Sequence, residues 1–336
     1  MMARPIVSVI VSTYNSEKFF RGRIENLLEQ TISPYCEIII VNSGSEQQEE
    51  KIVLEYSAIH ENIKYIKTAQ RETIYRAWNR GIAAAKGDFI TNANTDDRLR
   101  KDALDVLSAA LAANPRAAIV YADQIVSGVP NQAFDQVNLR RRVHRTRYSR
   151  LALLHGYLAG SQPMWRSSLH SVEGIWFDES FEVAGDYEFA CRVAENHDFF
   201  HVDEVLGVYY KAGDKSNKEF ENVSRTLSEA CTVQEKYMRR FMTTLTAEER
   251  QALFVKSNRM LKLPRGLFYL ERKIVQRIAP STFVSSKLFW CWVASLIRES
   301  EGDLAGARRF CLPQYLNGTV NLVQRQYAHL VDSEKA

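Results

Sequence analysis

"RETIYRAWNRGIAAAKGDFITNANTDDRL", residues 71–99, passes from a helical pattern through a short apolar run to two adjacent carboxylates. Ile74, Trp78, Ile82 and Ala85 recur at helical spacing, Gly87 supplies a turn, and Asp88–Thr91 reads as a strand. Asp96 and Asp97 stand where that buried strand emerges, with Asn92 and Asn94 beside them. Like charges held side by side repel, so the pattern calls for a positive partner.

Working outward, "PIVSVIVSTYN" (residues 5–15) reads as a first buried strand, rich in β-branched residues and bounded by Pro5 and a polar cluster. From Ser16, a helix N-cap candidate, Phe20, Ile24, Leu27 and Leu28 follow a helical period. "CEIIIVNSGS" (36–45) is a second apolar strand ending in a turn at Gly44, then come a helix over 52–58 and a strand "IKYI" (63–66). Beyond the opening stretch, "KDALDVLSAALAANP" (101–115) predicts a helix stopped before Pro115, and "AAIVYAD" (117–123) a fifth strand. Alternating strands and helices imply right-handed crossovers and a parallel sheet covered on both faces. The regularity fades after about residue 125, so the expectation is an α/β fold whose sheet becomes mixed. Residues 1–225 are expected to form this domain and 226–336 a helical region.

Composition is that of an ordinary globular chain: 336 residues, 46% apolar, 25% charged, net charge +4. So mild a charge gives no ground for a nucleic-acid partner. The five cysteines show no metal or redox spacing and read as reduced thiols. The N-terminal apolar run suits a strand rather than a signal peptide, and "KLFWCWVASLI" from Lys287 is too short to span a bilayer. A cytoplasmic protein, peripheral at the inner face of the plasma membrane, is the expectation.

In an open α/β sheet, ligands bind beyond the carboxyl ends of the strands. Three polar clusters fall there: Thr13-Tyr14-Asn15, Asn42-Ser43-Gly44-Ser45 and Asn94-Thr95-Asp96-Asp97. The first turn, "VSTYNSEKF", has no glycine to let backbone amides approach a pyrophosphate. A bound diphosphate would need its charge met by a divalent cation at Asp96, and carboxylate plus phosphate is a donor set for Mg²⁺ or Mn²⁺.

With "VSVIVSTYN", "EIIIVNSGS", "TIYRAWNRGIAAAKGDFI", "NTDD" and "FDESFEVAGDYEFACRVA" in this order, the chain resembles a family 2 glycosyltransferase of the GT-A fold over residues 4–215. "NTDD" takes the place of the DXD motif, and the last segment that of the motif carrying the catalytic base. The resemblance implies that Thr13, Tyr14 and Asn42 line the base and ribose pocket. Asn15, Ser45, Arg71 and Asn79 join the donor side, Asn94 bonds the ribose, Asp96 holds the metal and Asp97 supports the loop. Asp186 would be the general base of an inverting transfer from a nucleotide-diphosphate sugar, by the same resemblance a UDP-sugar, to a glycan or lipid-linked acceptor in cell-surface polysaccharide assembly.

Several positions depart from the family's pattern. Asn42 and Asn94 stand where the family has or often has Asp, keeping an acceptor oxygen but no charge. Trp78 in "AWN" replaces an arginine, leaving Arg71 or Arg76 to meet the phosphates. "YYKAGDKSN" offers Asp214 or Lys215 in place of a metal-binding histidine, and the QxxRW signature of processive synthases is absent, which implies transfer of a single sugar.

Each feature also has a plainer reading. Asp96 and Asp97 could open the following helix, and Asp186 could be a helix N-cap. Asn42 suits a turn for conformational reasons. "SQPMWRSSLH" offers Gln162, Trp165 and Arg166 to an acceptor, or else forms a packed corner with Trp165 in the core. His155, His170 and His201 read as structural. The six arginines of "LRRRVHRTRYSR" from Leu139 form a solvated loop, or contact lipid headgroups, or grip a diphosphate. The basic helix pattern through Lys262 and beyond, and a helical hairpin around Gly302, suit a membrane interface, a cap on the domain or a homodimer contact. Two rival functions remain open: a catalytically silent nucleotide- or glycan-binding module, and a sugar nucleotidyltransferase.

Overall fold

The structure is a computed structural model and describes residues 4–160, 162–211 and 223–262, with residues 293, 296 and 297. Among these, 4–149 with 157–211 form one compact unit, and 150–156 with the described residues from 223 onward form a second.

In the first unit, strands β1 (Val7–Thr13), β2 (Cys36–Asn42), β3 (Ile63–Lys67) and β4 (Phe89–Asn92) run parallel in the order β3-β2-β1-β4. Helices α1 (Glu17–Leu28), α2 (Glu49–Ser57) and α3 (Ile74–Ala83) make the crossovers. The β1 and β2 runs are mostly apolar because both faces are covered; Val9, Val11, Ile38 and Ile40 are fully buried, each contributing about 1.5–3 kcal/mol of burial. Thr73 caps α3, its hydroxyl accepting from the Arg76 amide at 3.3 Å. Asp96 and Asp97 do not open the next helix, for a two-residue strand β5 (Arg98–Leu99) intervenes before α4 (Ala103–Ala113).

The remainder is mixed, as the fading pattern implied. Strand β6 (Ala117–Ser127) reaches beyond the expected 117–123 and pairs in parallel with β9 (Asp198–Tyr210) through several register shifts. The short β8 (Met164–Arg166) is antiparallel to both β4 and β6, joining the two halves, and β7 (Arg142–Val143) adds to β6. Between β8 and β9 lie α6 (Ser168–Ser171) and α7 (Gly185–Val193).

The second unit comprises α5 (Arg150–His155), α8 (Val223–Thr244) and α9 (Ala247–Lys262). Val233, Tyr237, Met238 and Met242 of α8 are buried, and Gln234 Nε2 donates to the His155 carbonyl at 2.8 Å. Among the described residues no helix is long and apolar enough to cross a membrane. Arg265, Arg272, Lys273, Arg277 and the hairpin around Gly302 lie outside the described residues, as do Asp214, Lys215, Cys291 and Cys311. Cys36, Cys191 and Cys231 are free thiols, and burial pushes Cys36 up to about 12.

Candidate active site

The β1 and β2 ends are in register, Thr13 beside Asn42, so their polar turns form one surface. Asn15 adopts a left-handed φ of 48°, a conformation its short polar side chain tolerates. From there its Oδ1 accepts from the Glu46 amide at 2.9 Å, and its own amide donates to Ser45 Oγ at 2.9 Å. Asn42, buried, accepts from the Ser45 amide at 2.8 Å and donates to the Tyr65 hydroxyl at 3.0 Å. Its plainer role as a turn residue is therefore realised in this network. Gly44 has φ 68°, and a Cβ there would lie 2.9 Å from the Gln70 backbone, so the turn requires glycine. Arg71 stacks its guanidinium 4.3 Å from the centre of the Tyr14 ring.

Sequence reasoning passed over Glu49. It is fully buried at the start of α2, where Oε1 accepts from the Ser16 amide at 2.6 Å and Oε2 has no partner among the described residues. It binds the first two turns together. Its only sequence signal is its place one helical turn before the buried Ile52 and Val53.

The two aspartates that opened the problem have unequal surroundings. Asp97 is buried; Oδ1 accepts from the Tyr210 amide at 2.9 Å and Oδ2 from Asn94 Nδ2 at 3.3 Å. Asp96 is half-buried. Behind them stand two guanidiniums. Arg98 Nη1 donates to the carbonyls of Thr95 at 2.8 Å and Asp97 at 2.6 Å, while Arg23 Nη1 donates to the same Asp97 carbonyl at 3.2 Å. Arg23, on α1, is fully buried and was also missed; burial and the neighbouring Arg98 push it down to about 9, against the pull of Asp97 and Asp96. It remains charged at neutral pH.

Asp186 is in the first turn of α7, but Ala184 is the N-cap, so the capping reading fails; Oδ1 accepts from the amide of the next residue at 2.8 Å. A Cβ on Gly185 would come 2.6 Å from the Tyr75 ring, so glycine lets the start of α7 lie on that ring. Tyr75 OH donates to the Val183 carbonyl at 2.7 Å, tying α3 to the turn before α7. Burial, and then the charge of Asp186, hold the Tyr75 and Tyr157 hydroxyls well above the usual tyrosine range, so both stay protonated.

Other expected site residues are committed elsewhere. Asn79 brackets the Phe177 backbone, donating to its carbonyl at 2.9 Å and accepting from its amide at 3.0 Å, and is thereby withdrawn from a donor pocket. Trp165 is 1% exposed, among Phe177 and Phe189, with Nε1 donating to His170 at 2.7 Å: the packed corner, not an acceptor surface. Burial pushes His170 down to about 4, which keeps it a neutral acceptor. Arg166 donates to the Leu111 carbonyl at 2.6 Å and the Ala117 carbonyl at 2.9 Å, closing the end of α4. Gln162 is buried, with Oε1 accepting from Arg23 at 2.6 Å. Trp78 donates to Ser12 Oγ at 3.1 Å and, as expected, brings no cation. Arg76 is exposed beside Glu72 and Glu179.

A second polar cluster centres on the fully buried Asp123. It accepts from Arg142 Nε at 2.6 Å, the Arg145 amide at 2.8 Å and His201 Nε2 at 2.7 Å, with His144 Nδ1 at 3.1 Å. His201 thus has a carboxylate partner, which its sequence position did not suggest. Arg142 and Arg145, two of the six clustered arginines, are partly buried here rather than in a wholly solvated loop. Ligand atoms of Asp123, His144 and Asp203 lie within 4.8 Å of one another, as for a metal. Arg142, however, bridges Asp123 and Asp203, so the cation position is already filled by a guanidinium. The corner at Asp96 pairs a half-buried carboxylate with the buried Asp97, and such oxygen donors are of the kind that Mg²⁺ or Mn²⁺ takes.

Residues 8–172 match the sequence pattern of the family described as Glycosyl transferase family 2. The chain carries a family 2 glycosyltransferase domain. Relatives are glycosyltransferases too. Chondroitin synthase of Escherichia coli is 25% identical over 204 residues, 60% of this chain and 28% of that protein. The uncharacterized glycosyltransferase EpsJ of Bacillus subtilis is 39% identical over 93 residues, 28% of this chain and 26% of that protein. The matched part of the chain thus spans less than a third of either relative's length. Among solved structures, S. aureus TarS residues 1–349 with UDP aligns at a TM-score of 0.54 and 17% identity, covering 93% of this chain and 91% of that one. At that identity the likeness is one of fold, and the family 2 domain has the mixed GT-A sheet expected from its motifs.

Proposed function

We propose that the chain is an inverting, metal-dependent glycosyltransferase that moves one sugar from a nucleotide-diphosphate donor to a hydroxyl of a glycan or lipid-linked acceptor in cell-surface polysaccharide assembly. The observation that carries this reading is the unequal burial of the paired aspartates at the strand end: Asp97 is buried and anchored, and Asp96 beside it is half-buried. Uridine as the donor base is supported by the fold shared with TarS, which has been solved with UDP and with UDP-GlcNAc.

Tyr14 with Arg71, and Asn42 with Tyr65, supply a stacking face and a polar edge for the base. Asn94 faces the ribose. Asp96 would hold a divalent cation, which would supply Lewis-acid stabilisation of charge on the leaving group. Asp186 takes the proton from the acceptor hydroxyl as that oxygen forms a bond to the anomeric carbon and the bond to the diphosphate breaks. Because attack comes from the face opposite the leaving group, the anomeric configuration inverts. Thr13, Asn15 and Ser45 hold the two turns in shape.

The test is Asp186→Asn assayed for transfer and for donor binding. We expect a loss of about 10²–10⁴-fold in transfer rate, the range of a general base, with donor affinity within a factor of two of the parent. Transfer at the parent rate contradicts the assignment. A parent protein that binds UDP without turning over any donor in a panel of nucleotide sugars supports a silent binding module instead.

A further inference from the structure

The turn after β2 fixes the direction of one hydrogen bond. The Ser45 amide can only donate, and it meets the Asn42 side chain at 2.8 Å, so the atom there is Oδ1. Nδ2 must then face the Tyr65 hydroxyl, 3.0 Å away, and an amide nitrogen only donates. The Tyr65 oxygen is therefore the acceptor, and its own proton is turned away from Asn42. Among the described residues that proton meets no acceptor. Burial, against the pull of the Asn42 bond, holds the Tyr65 hydroxyl above the usual tyrosine range, so the proton is in place at neutral pH.

Asn42 is 1% exposed, which leaves its amide little surface for a ligand, while Tyr65 is half-buried. Tyr65 pairs with Ile40 in the β2–β3 register, and its hydroxyl reaches Asn42, the last residue of β2. The segment after β3 closes on the same corner. The Thr68 amide donates to the Asn42 carbonyl at 3.0 Å, the Glu72 amide donates to Ser43 Oγ at 2.6 Å, and Arg71 lies over the Tyr14 ring. An oriented hydroxyl donor thus stands beside the turns that carry the stacking pair. We propose that Tyr65 is a specificity residue for the nucleobase, its hydroxyl donating to a ring carbonyl of the base, and that Asn42 is the positioning residue that aims it. Uracil has two such carbonyls. An aspartate at position 42, the residue usual in the family, would instead accept the Tyr65 proton and leave no donor. The inference rests on the reading of this corner as the pocket for the donor's base.

The test is calorimetry, with Mn²⁺ present, of UDP and of its 2-thio and 4-thio analogues on the parent, Tyr65→Phe and Asn42→Asp. Each analogue replaces one carbonyl oxygen of the base with sulfur, a weak acceptor. The parent is expected to bind UDP about 2- to 10-fold more tightly than one of the two analogues, the scale of one neutral hydrogen bond. Tyr65→Phe is expected to lose that preference and to bind UDP no better than the disfavoured analogue. Asn42→Asp keeps both side chains' volume and turns the bond around, and it is expected to lose the same preference. A merely structural Tyr65 weakens all three ligands alike and leaves the preference intact, which would overturn the assignment. Should Tyr65→Phe fail to fold, Asn42→Asp decides. If the parent binds UDP but shows no preference, or both variants keep it, the role of Tyr65 falls while the glycosyltransferase reading stands. If the parent binds no UDP, both fall.

Discussion

Two buried aspartates, Asp123 within β6 and Asp97 in the turn between β4 and β5, are treated in opposite ways. Around Asp123 the donors meet the carboxylate: the Arg142 guanidinium, the His201 and His144 rings and the Arg145 amide all reach it directly. Around Asp97 the positive groups reach past the carboxylate to the backbone, so that Arg23 and Arg98 grip the carbonyls of residues 95 and 97 and act on Asp96 through space. In the first cluster the carboxylate itself is fully engaged. The second is anchored from behind through its backbone carbonyls. Direct pairing stabilises a fold; a charge held one shell back leaves room for chemistry.

The comparison breaks most visibly in stability. Asp123→Asn removes the charge that Arg142 and His201 share, and breaking a buried pair costs about 3–5 kcal/mol. Thermal and urea unfolding are expected to show that loss, while UDP affinity of the folded fraction is unchanged. A variant as stable as the parent would mean that the cluster is not the structural one.

A smaller effect sharpens the same point. Burial pushes the Asp123 carboxyl up, but His201, the Arg145 amide and Arg142 together hold it below the usual aspartate range. A depressed carboxylate stabilises the fold above the unfolded value, about 3.9, and that contribution vanishes as pH falls through the lower folded value. The stability gap between parent and Asp123→Asn is therefore expected to narrow below about pH 4. Glu37, desolvated but bonded by Lys64, Ser8 and the Lys86 amide, is also held below the usual range and lies outside both clusters, so its acid-labile share persists in the variant. A gap that keeps widening below about pH 4 contradicts the pairing.

How much of this could be read from the sequence depended on how local the cause was. The strands β1 to β4 were legible almost to their ends, because each is a short β-branched run closed by its own helix. Strands β5, β7 and β8, of two or three residues, exist only through pairing with distant partners, and nothing in "RL", "RV" or "MWR" announces them. Strand β6 runs on through the polar Asp123 and Gln124 because β9 and the arginine segment satisfy them. For the proposed site, the motifs in the sequence point to Asp96, Asp97 and Asp186. Asn79 was misjudged because its bonding partner lies 98 positions along the chain. Arg23 left a signal that was passed over: it stands three residues after Phe20 and four before Leu27, on the buried stripe of α1, where a charged side chain needs a reason.

The most direct test of the contrast between the clusters is calorimetry of UDP with and without Mn²⁺, on the parent and on Asp96→Asn. The account predicts that manganese tightens UDP binding to the parent at least about tenfold. Asp96→Asn should retain its melting temperature, bind UDP without metal as the parent does, and lose that enhancement. Equal enhancement in the variant, or none in the parent, would contradict it.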